Sequence, residues 1–111
     1  MEDKRRFRRV PFKEPVQFRT KDYLEPVGCV AHDISERGIR ISSQDFIPLK
    51  EEVDLTLQMD FGIQVDVQGR VVWVQRVPHA EYYQVGLEFF SQQSNARVFE
   101  ELQEYIQSYS G

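Results

Sequence analysis

A chain of 111 residues is the size of one domain, and its lone cysteine, Cys29, excludes an intrachain disulfide and a cysteine zinc cluster. No window approaches the roughly 18 apolar residues of a membrane-spanning helix, and residues 1–9 lack a secretory leader's apolar run, so the expectation is a soluble, cytoplasmic protein without membrane insertion. The net charge of −4 is uneven: residues 1–13 carry six basic against two acidic side chains, a net +4, and residues 14–111 carry eight against sixteen, a net −8. A long nucleic-acid duplex needs positive charge spread over a face, so a basic arm (1–13) on an acidic body (14–111) suits a small anion better.

From Pro15 to Phe90 the dominant period is two, with β-branched and aromatic residues alternating with polar ones, which predicts strands. Val16 and Phe18 mark the first. After a turn through Pro26, Val27, Cys29 and Ala31 mark a second strand ending near Ile34. Ser35-Glu36-Arg37-Gly38 reads as a turn in which Gly38 takes a positive φ, and Ile39 and Ile41 restart the alternation. Phe46, Ile47 and Pro48 read as a crossing loop that plugs one end of the core. Val53, Leu55, Leu57, Met59 and Phe61 give a long strand turned by Gly62. Val65, Val67, Val71 and Trp73 follow, with Gly69 expected to form a bulge, and Val85, Leu87 and Phe89 give the last strand.

The period changes near residue 94. Val98, Phe99, Leu102, Tyr105, Ile106 and Tyr109 share one face at helical spacing, predicting an amphipathic helix over about 94–109 with Ser94 as N-cap and Gly111 as stop. Six antiparallel strands and one covering C-terminal helix point to a mostly β protein, a small barrel whose closure removes exposed edges.

Catalysis finds little support. His32 and His79 lie on separate elements without companions at metal-ligand spacing, and the His32-Asp33 pair lacks the further ligands of a metal phosphohydrolase. Cys29, among apolar strand neighbours, reads as a small core residue. The arm Arg5-Arg6-Phe7-Arg8-Arg9 is either a solvated basic tail or a specific anion site; four arginines favour the site, since each offers a phosphate-matching fork and a flat stacking face. In an extended arm Arg5 and Arg9 project from one side, about 13 Å apart. The second signal is Asp33-Ile34-Ser35-Glu36-Arg37-Gly38. Such a turn often bonds only its own backbone. The alternation also predicts Asp33 and Ser35 side by side with Ile34 in the core, where a carboxylate and a hydroxyl match the donors of guanine but not the edge of adenine. Trp73 reads equally as packing and as a ligand contact, and Arg40 and Arg70 are exposed-strand candidates for phosphate that read first as solvated surface arginines.

Arg5-x-x-x-Arg9 followed by Asp33-x-Ser35-x-x-Gly38 resembles the paired signature of PilZ domains, bacterial receptors for cyclic di-GMP. The likeness spans nearly the whole chain, because Gly69-Arg70-Val71-Val72-Trp73 and Tyr83-Gln84-Val85-Gly86-Leu87-Glu88-Phe89 are similar to later strands of that family. It implies a barrel with cyclic di-GMP clamped on its outside. Arg5, Arg6, Arg8 and Arg9 would meet phosphates and guanine faces, Asp33 and Ser35 guanine edges, Gly38 the close approach, and Trp73 a base. Arg37 departs from the pattern, standing where many members have a second glycine. The implied function is a monomeric receptor, neither enzyme nor cofactor protein, that passes the signal to an unidentified partner protein. Two other classes stay open: a ligand-free adaptor of the same fold, and a barrel for single-stranded nucleic acid.

Overall fold

The computed structural model describes residues 7–23, 25–59 and 62–109. Arg5, Arg6, Phe61 and Gly111, on which sequence expectations fall, lie outside them. Seven strands and a helix follow in chain order: β1 (Val10–Pro11), β2 (Val16–Arg19), β3 (Val27–Ile34), β4 (Gly38–Ser43), β5 (Glu52–Gln58), β6 (Gln64–Arg76), β7 (Tyr83–Phe89) and α1 (Val98–Ser108). All pairings are antiparallel. The order β3-β2-β5-β6-β7-β4 returns to β3, closing a six-stranded barrel, and β1 pairs with the end of β3 outside the ring.

Alternation places the core. Val16, Phe18, Ile39, Ile41, Val53, Leu55, Leu57, Val65, Val67, Val71, Val85 and Leu87 are all buried, and Val98, Leu102 and Ile106 of α1 join them at four-residue spacing. At roughly 1.5–3 kcal/mol for each large aliphatic side chain removed from water, this shared interior is the main force holding the ring shut. The arm contributes to it. Val10 and Phe12 are buried, and the Phe12 ring meets Tyr105 of α1 edge-on at 5.2 Å. In the crossing loop only Ile47 enters the core, whereas Phe46 stays exposed and leans on Tyr83.

Three local expectations are corrected. Gly69 pairs regularly with Val53 and Phe89, and the bulge of β6 falls at Val72, between Val71 and Trp73. Gly69 serves a close approach instead, since a Cβ there would strike the Glu88 carbonyl. Gly38 opens β4 without a positive φ; among the described glycines only Gly62 has one, at 75°. It too answers to crowding, because a Cβ at Gly38 would overlap the carbonyl oxygen of Leu87. Finally, α1 begins at Val98, with no side-chain cap from Ser94. Gln93 holds the preceding segment against β6, donating to the Gln68 carbonyl and accepting from the Gln68 N–H, both at 2.8 Å. The chain turns only afterwards, where Asn95 Oδ1 accepts the Arg97 N–H at 2.9 Å.

Candidate functional site

The site is a row across the outside of the barrel. Pro11 of β1 pairs with Asp33 of β3, Asp33 with Arg40 of β4, Arg40 with Gly86 of β7, and Gly86 with Trp73 of β6. Two irregularities align it. One, between Ala31 and Asp33, turns Asp33 outward while Ala31 and Ile34 both stay buried; the other, at Val72, sets Trp73 opposite Gly86. Asp33, Arg40, Gly86 and Trp73 of this row line a hollow of about 570 Å³ together with Arg9, Arg37 and Gly38.

Asp33 is the electrostatic centre of one lip. Its Oδ1 accepts from Arg9 Nη1 and its Oδ2 from Arg40 Nη2, each at 2.7 Å, and its side chain is 17% exposed. An ionised carboxylate offers about four acceptor positions, so two arginine bonds leave Asp33 room for further donors. The Arg40 Nε is buried with no hydrogen-bond partner. Three arginines therefore face Asp33 and Glu88 around the hollow, a surplus of positive charge within an acidic body.

The neighbouring arm residues diverge. Arg9 reaches the hollow, whereas Arg8 donates to the carbonyls of Ile106 and Tyr109, both at 3.2 Å, at the C-terminal end of α1. There a cation meets the negative end of the helix dipole. The guanidinium of Arg37 lies 4.8 Å from the centre of the Phe7 ring, so the residue that departs from the family signature ties the arm to the β3–β4 turn.

Ser35 is not beside Asp33 on the outer face. Strand β3 ends at Ile34, so alternation stops there, and the 1% exposed Ser35 builds the turn. Its N–H donates to the Gly38 carbonyl at 2.8 Å and its Oγ accepts the Arg37 N–H at 3.1 Å. Trp73 lies outside the core, 39% exposed, with its indole against Gly86. The pairing of Arg40 with Asp33 and the role of Gly86 went unseen in the sequence. A tight hairpin at residues 35–37 implies that residue 40 faces residue 33, and a glycine inside an alternating strand signals a close neighbour.

Elsewhere, Cys29 is a partly buried neighbour of the core, and burial pushes its thiol up to about 12, which disfavours the thiolate. The Tyr23 phenol is also raised, first by burial and then by its hydrogen bond to Asp45. Among the described residues no group of three His, Cys, Asp or Glu side chains could hold a metal ion, and no helix is long and apolar enough to cross a membrane.

No curated protein matches this sequence. Among solved structures, Bacillus subtilis inhibitor of motility (MotI/DgrA) superposes with a TM-score of 0.75 at 20% identity, over 96% of this chain and 51% of that one. The PilZ domain of YcgR from Escherichia coli, solved with c-di-GMP, gives 0.71 at 13% identity, over 96% and 91%. The MrkH–c-di-GMP complex of K. pneumonia gives 0.70 at 16%, over 94% and 51%. The chain thus spans about half the length of MotI and MrkH and nearly all of the YcgR domain. These likenesses establish the fold. The PilZ domain family model itself matches residues 3–108, almost the entire sequence, and the chain belongs to the PilZ domain family.

Proposed function

We propose that this protein is a cyclic di-GMP receptor with no catalytic activity of its own. The observation that carries this reading is the cross-strand row, which sets the Arg9–Asp33–Arg40 cluster and the Trp73 indole on opposite sides of one hollow. A cyclic dinucleotide combines two phosphates with two flat bases. Arg9, with Arg5 and Arg6 of the arm, takes the phosphates and guanine faces, Asp33 accepts from the guanine N1 and N2 donors, and Trp73 stacks on a base. Ser35 and Gly38 act by shaping the turn that presents Asp33. Arg8 acts from the end of α1 rather than in the hollow.

The signal passes to a partner protein by a shift of population. Ligand competes with Asp33 for Arg9, and the basic arm of residues 1–13 changes place while its inner part, Val10 to Phe12, stays in the barrel wall. Because, among the described residues, the closed ring leaves only the short β1 as an edge, the receptor works as a monomer; its lone, thiol-form Cys29 fits the reducing cytoplasm of a bacterium.

Calorimetric titration tests the reading. Cyclic di-GMP binds at least tenfold tighter than cyclic di-AMP, since adenine leaves the Asp33 acceptors unmatched; GTP and a short single-stranded oligonucleotide bind weakly. Asp33→Ala weakens cyclic di-GMP and removes most of the discrimination. Equal affinity for both cyclic dinucleotides, or tighter binding of the oligonucleotide, overturns it.

A further inference from the structure

The sheet of this barrel holds three glycines whose missing side chains matter, and they are not alike. A Cβ on Gly38 or Gly69 would collide with backbone, the carbonyl of Leu87 in one case and of Glu88 in the other. Backbone of a closed ring cannot step aside, so those two glycines belong to the fold. The three heavy atoms nearest to a Cβ on Gly86 would all belong to one side chain, since it would overlap Nε1 and Cε2 of Trp73 and lie 2.7 Å from its Cδ1. That side chain is partly exposed and free of the core.

The sequence around Trp73 explains how it comes to lie there. Val65, Val67 and Val71 face inward at even spacing, so residue 73 in a regular strand would also face inward. The bulge adds one residue. Val72 and Trp73 then both face outward, 45% and 39% exposed, while Val74 returns to pack against the core. The bulge alone puts the indole outside; it does not say how the indole lies. Its cross-strand neighbour does, because Gly86 leaves a bare stretch of backbone between Arg40 and Trp73. The indole folds down onto that stretch and becomes a wall of the hollow.

We infer that Gly86 is a positioning residue of the ligand site, the seat that lays the Trp73 indole flat at the distance where a base can stack. In its ligand half this rests on the cyclic di-GMP reading; in its structural half it does not.

The experiment exploits the fact that Trp73 is the sole tryptophan, so emission reports its seat alone. Gly86→Ala keeps cooperative unfolding but lifts the indole, shifting emission to the red and raising its quenching by acrylamide in the ligand-free protein. A lifted indole loses its stack on the base, so the dissociation constant for cyclic di-GMP rises about tenfold. It rises no further when Trp73→Ala is added, because both changes remove one contact. Unchanged emission and quenching overturn the inference, as does a double variant whose loss is the sum of the two single losses. If Gly86→Ala does not fold, Gly86→Ala with Trp73→Ala decides. Recovery of folding once the indole is gone locates the clash at Trp73 and supports the seat; failure of both makes Gly86 a residue of the fold and overturns it. Should the parent protein not bind cyclic di-GMP, the receptor reading falls, while the emission and quenching results still decide the seat.

Discussion

Arg9 Nη1 donates to Asp33 Oδ1 at 2.7 Å, so two side chains proposed to grip the ligand grip each other. Arg9 is about half exposed, and ion pairs of that kind contribute about 0–1 kcal/mol, which makes the bond easy to exchange for a phosphate. Asp33 does not swing free when Arg9 leaves, because Arg40 holds its other oxygen.

Replacing Arg9 separates charge from geometry. Arg9→Lys keeps the charge but loses the fork and the stacking face, so it weakens cyclic di-GMP nearly as much as Arg9→Ala, by about tenfold or more. Calorimetry checks this. A lysine variant that binds like the parent would reduce the arm to a diffuse electrostatic tail.

Ser35 and Gly38 belong to the framework of the turn, and their variants lose stability before they lose chemistry. Ser35→Ala strips the buried acceptor from the Arg37 N–H and costs about 1–3 kcal/mol, read as a lower thermal midpoint. Gly38→Ala drives a methyl into the Leu87 carbonyl and leaves little folded protein. A Ser35→Ala protein with the parent's thermal midpoint but no ligand binding would return that hydroxyl to the ligand.

Arg8 and Arg9 are adjacent in sequence yet predict different losses. Arg8→Ala removes a cation from the end of α1, a contribution of about 0.3–1 kcal/mol, so hydrogen exchange quickens at the last helical turn. Affinity for cyclic di-GMP falls less than in Arg9→Ala. Equal losses of affinity in the two variants would place Arg8 in the hollow instead.

Alkaline stability follows from Cys29. Its thiol ionises near 9.0 in the unfolded chain and at about 12 in the fold, because burial disfavours the thiolate. The folded state therefore holds a proton that the unfolded state releases first. This contribution is complete below pH 9.0 and is lost as pH rises towards about 12. Denaturant titrations across that window show a shallower loss of stability in Cys29→Ala than in the parent. At neutral pH its thiolate fraction is about a thousandfold below that of an unperturbed cysteine, so alkylation is correspondingly slow. Rapid modification of the folded protein would contradict the burial.

Strand identity was legible from residues 16 to 89 because a sheet with one buried face imposes a period of two on its sequence, and Val53, Leu55 and Leu57 display that period without interruption. The helix was equally legible in Val98, Leu102 and Ile106, though its start was not, since Gln93 is held by Gln68 from a distant strand. Asp33 and Arg9 stood out by chemistry. What no stretch of sequence contains is the phase between strands. Two irregularities, at His32 and Val72, decide that Asp33 turns outward between buried Ala31 and Ile34 and that Trp73 leaves the core for Gly86. The buried place of Ser35 likewise depends on where β3 stops. The local pattern determined which faces are apolar, because that depends only on neighbours along the chain. Ring closure decided which polar side chains meet, because a one-residue slip between strands costs nothing in the pattern and changes every partner across the sheet.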